Sequence, residues 1–175
     1  MSMRSIPTRS SKGIFLGIDP GLKRIGYGVI QRQAGEFRFL AAGLLIPVMR
    51  QQLEKDKLLL KVTQRLRALF LKFQPELLAL EKIYFGRNVS SALGVSELRG
   101  VLLLTAAQHN IPVQELSPTE IKQLVCGYGQ ADKQSVKKML SYSLVLPARL
   151  RSKDAVDALA IALAGCLKQR ASFLS

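Results

Sequence analysis

The chain has 175 residues, 48 % of them hydrophobic, with 26 Lys and Arg against 12 Asp and Glu and a formal net charge of +14. That length and apolar content suffice for one domain with a full core and exclude a disordered chain, while the basic excess favours a polyanionic partner such as nucleic acid over a small neutral ligand. A single histidine and two distant cysteines, Cys126 and Cys166, exclude a zinc site or a disulfide framework as the organising feature, and reduced thiols suit a cytoplasmic protein.

Residues 1–12, MSMRSIPTRSSK, are basic and Ser-rich without an apolar h-region, so they are expected to be a disordered arm and not a secretory signal. A single domain is expected over 13–170, with a tail at 171–175. GIFLGID, IGYGVIQR and EFRFLAAGLLI predict three strands with Gly, Pro and basic residues at the turns. In DPGL, Pro20 and Gly21 predict a type II turn with positive φ at Gly21, which places Asp19 at a strand end. The run FLAAGLLIPVM is too short to span a bilayer and contains a proline, so no membrane partner is expected, although an anionic surface would attract the same charge. From Gln51 to Phe73, Leu59, Val62, Leu66, Leu69, Phe70 and Phe73 recur at helical spacing, with Lys55, Lys61, Arg65, Arg67 and Lys72 elsewhere. LLALEKI then predicts a strand, 89–108 a helix and IPVQEL a further strand. SPTEIKQL opens a helix with Glu120 in a capping-box position, and 131–144 and 152–169 predict two more helices. Strands first and then alternation with helices implies an α/β fold, one mixed five-stranded sheet flanked by helices on both faces.

Four of the acids stand out. Asp19 ends an apolar run, Glu81 ends another, and Asp154 and Asp157 are three residues apart and share a helix face. Each has an ordinary explanation: Asp19 as a turn-forming residue, Glu81 paired with Lys82 or Arg87, and the two helical aspartates complementing the helix dipole. Together they would repel one another unless divalent cations sat among them. Hard oxygen donors without a His or Cys cluster point to magnesium or manganese, and two such ions about 4 Å apart suit phosphodiester hydrolysis.

GIDPG followed by IGYGVI, then ALEKIYFGRN, the RG of SELRGVLLL, EIKQLVCGYGQADKQSVKKML and KDAVDALAIA resemble the RuvC family of Holliday-junction resolvases. The resemblance runs from about Gly13 to the last helix. It implies a ribonuclease H-like fold and a homodimer that nicks two opposed strands of a four-way DNA junction symmetrically, leaving 5′-phosphate ends. It also implies Mg2+, with Mn2+ able to substitute and two ions per subunit, held by Asp19, Glu81, Asp154 and Asp157. Lys122 and Lys133 are implied as catalytic and DNA-binding lysines, Tyr84 as a base-stacking aromatic, and Arg87 in the same segment is a DNA-binding candidate. A branch-migration motor complex is the implied partner. The helix at 89–108, with Gly94 and Gly100 and more apolar residues than one buried face requires, is the candidate dimer surface. Lys82 and Tyr84 depart from the family's commoner amide and phenylalanine, which leaves cleavage-site specificity open.

Three alternatives stand beside this reading. A ribonuclease H-like nuclease acting on RNA would share the strands and carboxylates but not the YFGRN and GYGQADK segments. An actin-like ATPase would need a second related domain. A non-catalytic junction-binding module would gain nothing from acids clustered where phosphates approach. VCGYGQADK lacks the GK[ST] ending of a phosphate-binding loop, and His109, before Asn110 at a predicted helix end, is expected to be a capping or surface residue.

Overall fold

The computed structural model describes residues 12–21, 24–46, 54–82, 89–148, 150 and 152–171. The expected arm through residue 11, the tail from residue 172, Tyr84 and Arg87 lie outside the described residues. Five strands and five helices follow in the order β1 (Lys12–Pro20), β2 (Ile25–Gln33), β3 (Glu36–Ile46), α1 (Lys55–Phe73), β4 (Leu77–Glu81), α2 (Val89–Gln108), β5 (Val113–Leu116), α3 (Pro118–Cys126), α4 (Lys133–Ser143) and α5 (Lys153–Ala171). The spatial order is β3-β2-β1-β4-β5. The β1–β2 and β2–β3 pairs are antiparallel, and β1–β4 and β4–β5 are parallel, so the expected mixed sheet is present. Parallel strands require crossovers, and α1 and α2 supply them.

Each sheet face has its own core. On one side Leu16, Ile18, Leu78 and Leu80 pack beneath Val62, Leu66 and Phe70 of α1 and Leu98, Leu102 and Ala106 of α2. Alternate residues of the same strands, Phe15, Leu77 and Ala79, face α5, α3 and α4 on the other. The C-terminus of α2 closes in a Schellman arrangement: Asn110 takes φ 54°, its N–H bonds the Ala107 carbonyl, and Ile111 N–H bonds that of Ala106. His109 belongs to this cap. Its Nδ1 lies 2.9 Å from the Thr105 carbonyl, and its ring rests 5.4 Å from that of Phe70, joining α2 to α1.

The turn after Asp19 differs from the expected type II. Gly21 is not among the described residues with positive φ, and its N–H donates to the Asp19 carbonyl at 3.0 Å. That i to i+2 bond closes a γ turn over Pro20, whose ring-restricted φ suits the inverse form. The β4 strand ends at Glu81, and α4 starts at Lys133 because Asp132 caps it by accepting from Ser135 N–H at 2.7 Å.

Helix α5 lies directly on strand backbone. A β-carbon on Gly17 would come within 2.2 Å of the Ala158 carbonyl oxygen, and one on Gly26 within 2.0 Å of that of Asp154. Only glycine permits this approach, and it carries the first turn of α5 to the end of β1. Gly26→Ala should therefore destabilise the fold by roughly 1–3 kcal/mol, the usual range for overpacking, and displace Asp154. A urea unfolding midpoint equal to the wild type would show that the helix yields freely there.

Candidate active site

Three elements converge at one end of the sheet. Asp19 is the penultimate residue of β1, Glu81 the last of β4, and Asp154 and Asp157 lie in the first turns of α5. The parallel register of β1 and β4 pairs Ile18 with Leu80, so Asp19 and Glu81 leave adjacent strands at the same level. Asp19, Glu81 and Asp157 line a cleft of about 380 Å³ together with Lys122 of α3 and Lys133 of α4. Pro118, Ile121, Val136, Ala160 and Ile161 form its apolar wall.

The electrostatics show that these acids share one field. Asp19 is pushed up from 3.8 to about 7, first by burial and then by Glu81, Asp157 and Asp154, with Lys133 opposing. Glu81 is also raised, first by burial and then by Asp157, again against Lys133. Lys133 Nζ stands 3.6 Å from an Asp157 carboxylate oxygen. One exposed ammonium does not offset the burial and repulsion at Asp19. Asp154 does not line the cleft, and its Oδ2 lies 3.9 Å from Arg24 Nη1. Of the six sequence-predicted catalytic residues, the four that bear carboxylates thus meet in the field at Asp19, although Asp154 does not line the cleft.

Among the described residues, no three carboxylates converge closely enough to hold an ion in the side-chain positions seen. What fits a divalent cation is the donor chemistry: carboxylate oxygens only, partly buried, one of them pushed up to about 7 by burial first and by the others next. A hard cation would relieve such a field more fully than the single Lys133 ammonium does.

Two supports were not legible from spacing. Arg24, in the turn between β1 and β2, meets Asp154 only once α5 is laid on the sheet. Glu120 completes the Ser117 capping box and also accepts from Lys168 Nζ at 2.8 Å, tying the start of α3 to the far end of α5. These bonds, that from Lys168 foremost, hold the Glu120 carboxyl down at about 2. The capping box was visible in SPTE; the tether to Lys168 was not.

The family model for crossover junction endodeoxyribonuclease RuvC matches residues 15–165. The crossover junction endodeoxyribonuclease RuvC of Chloroflexus aggregans is 45 % identical over 149 residues, covering 85 % of this chain and 89 % of the relative. That of Roseiflexus sp. is 42 % identical over 148 residues, covering 85 % and 87 %. Among solved structures, T. thermophilus RuvC in complex with a Holliday junction substrate superposes with a TM-score of 0.84 at 29 % identity, covering 91 % of this chain and 96 % of that one.

Proposed function

Because the chain belongs to the RuvC family of crossover junction endodeoxyribonucleases, we propose that it resolves four-way DNA junctions in homologous recombination and repair by nicking two opposed strands symmetrically. The observation that carries this reading is the meeting of Asp19, Glu81 and Asp157 with Lys122 and Lys133 in one cleft. Asp19, Glu81, Asp154 and Asp157 would hold magnesium, with manganese able to replace it and two ions per subunit. The ions would supply an activated water and charge stabilisation for an in-line displacement that leaves a 5′-phosphate.

The protein's own groups do the rest. Lys122 and Lys133, which line the cleft, would bind oxygens of the scissile phosphate, with Lys133 exchanging its contact with Asp157 for that phosphate. Ile121, Val136 and Ile161 keep bulk water from one side of the cleft, which strengthens every charge interaction inside it. Lys and Arg elsewhere bind duplex arms through counterion release, so affinity should fall steeply with salt. Tyr84 and Arg87 retain their proposed DNA contacts on family resemblance alone, as do a branch-migration motor as partner and a cytoplasmic location. The described residues include no helix long and apolar enough to cross a membrane.

Exposed apolar side chains support the dimer proposed through α2. Leu93 and Leu104 are 61 % and 60 % exposed, and a β-carbon at Gly100 between them would meet nothing within 4 Å. Spacings of seven and four put the three on one helix face. A two-fold dimer would present two sites to two strands of like polarity. Leu104→Glu should give a monomer by light scattering and uncouple the paired nicks; a dimer of unchanged mass would place the interface elsewhere.

The test of the whole reading is cleavage of an end-labelled synthetic four-way junction with Mg2+, beside linear duplex and RNA/DNA hybrid. Paired nicks confined to the junction are expected. Cleavage of the hybrid instead would keep the site and change the substrate, and binding without cleavage would leave only a junction-binding module.

A further inference from the structure

The glycine loop between the cleft lysines, GYGQAD, has so far served only to join α3 to α4. Gly127 ends α3 with φ 85°, and its N–H bonds the Gln123 carbonyl at 2.9 Å. The Gln123 side-chain amide returns to the Gly127 carbonyl at 2.6 Å, and the Asp132 cap fixes the other end of the loop. Braced at both ends, the loop presents Tyr128, which is 51 % exposed.

The Tyr128 hydroxyl donates to Ser135 Oγ at 3.4 Å, so the ring leans toward the first turn of α4. Ser135 is two residues from Lys133, the lysine that reaches Asp157 in the cleft. A half-exposed ring buries little apolar area, so packing of the free protein does not account for it. A phosphate held by Lys122 and Lys133 would bring the neighbouring nucleotides of the same strand past this turn. Among partners of the cleft, a nucleobase offers a flat apolar face that a tyrosine ring can cover whatever the sequence.

We propose that Tyr128 is a substrate-contacting residue whose ring stacks on a nucleobase of the cleaved strand as it leaves the cleft over the start of α4, with Ser135 setting the ring's orientation. This rests on the nuclease reading above and adds to it a contact made by the GYG turn. Stacking tolerates any base but differs in strength among them, so Tyr128 also biases which sequence is cut.

The test uses the full chain and a four-way junction carrying 2-aminopurine at successive positions beside the cleavage point. Wild type should quench one position. Tyr128→Ala should lose that quench and weaken binding about tenfold, with the slope of log affinity against log salt unchanged because stacking releases no counterions. Tyr128→Phe, which keeps the π face and loses only the hydroxyl bond to Ser135, should retain a weaker quench at the same position, and Tyr128→Leu, which keeps apolar bulk without a π face, should behave as the alanine variant. Thermal melts of all three check the fold, and the leucine variant carries the test if the alanine variant melts early. Wild-type binding and quenching by Tyr128→Leu would overturn the inference while leaving the resolvase reading intact. Failure of the wild type to bind or cut junctions would overturn that reading and the inference with it.

Discussion

Asp157→Asn is expected to lower junction cleavage on the order of 10³-fold while junction binding stays equal to wild type or tightens. The substitution keeps the shape of the side chain and removes one charge. Asp157 is the first charge acting on Glu81 and the second on Asp19, so its loss relaxes the field that would attract a divalent cation. It also removes the carboxylate that Lys133 faces at 3.6 Å. An unpaired Lys133 binds phosphate no worse than a paired one, and DNA meets one fewer negative charge in the cleft. The loss should therefore fall on turnover and not on affinity, with a size typical of removing one group that stabilises developing charge at a reacting centre. Single-turnover cleavage with Mg2+, beside gel-shift binding in EDTA, separates the two. Weakened binding with undiminished cleavage of the bound complex would remove Asp157 from the chemistry.

Much of this site could be read before any coordinates because its residues sit where local pattern is strong. Asp19 and Glu81 each end a short apolar run, and a strand's last residue is where a sheet can hold an acid at its rim. Asp154 and Asp157 share a face by helical period alone, and Ser117 and Glu120 declare the start of α3 by their spacing. What escaped is tertiary. Gly17 and Gly26 carry no local mark of it, yet each is where α5 backbone touches the sheet. Arg24 has no spacing that marks it as the neighbour of Asp154 130 positions later, and Lys168 none that marks it as the partner of Glu120. The turn after Asp19 departs from type II for a local reason: Pro-Gly is also compatible with a γ turn centred on the proline, which does not need the glycine's freedom. Tyr128 has no mark of its own, because the sequence shows a glycine loop without showing that both ends are braced.

The second large effect concerns stability and its dependence on pH. The Asp19 carboxyl, raised from 3.8 to about 7, holds its proton more tightly in the folded protein than in the unfolded chain. Between those values the native state carries more protons than the unfolded state, so metal-free stability falls as pH rises from about 4 to about 7 and then levels off in this contribution. The full effect of that group is up to about 4 kcal/mol at pH 8. Asp19→Asn should match the wild type near pH 4, lack that part of the decline, and melt roughly 10 °C higher at pH 8 without metal. Added Mg2+ should raise the wild-type melting temperature at pH 8 by mass action and move the variant far less, because the variant has lost both a proposed ligand and the repulsion an ion would relieve. Thermal melts across pH with and without Mg2+ make the comparison. A variant less stable than wild type at pH 8 in EDTA would show that Asp19 is held by a favourable contact and not against burial and the repulsion of its neighbours.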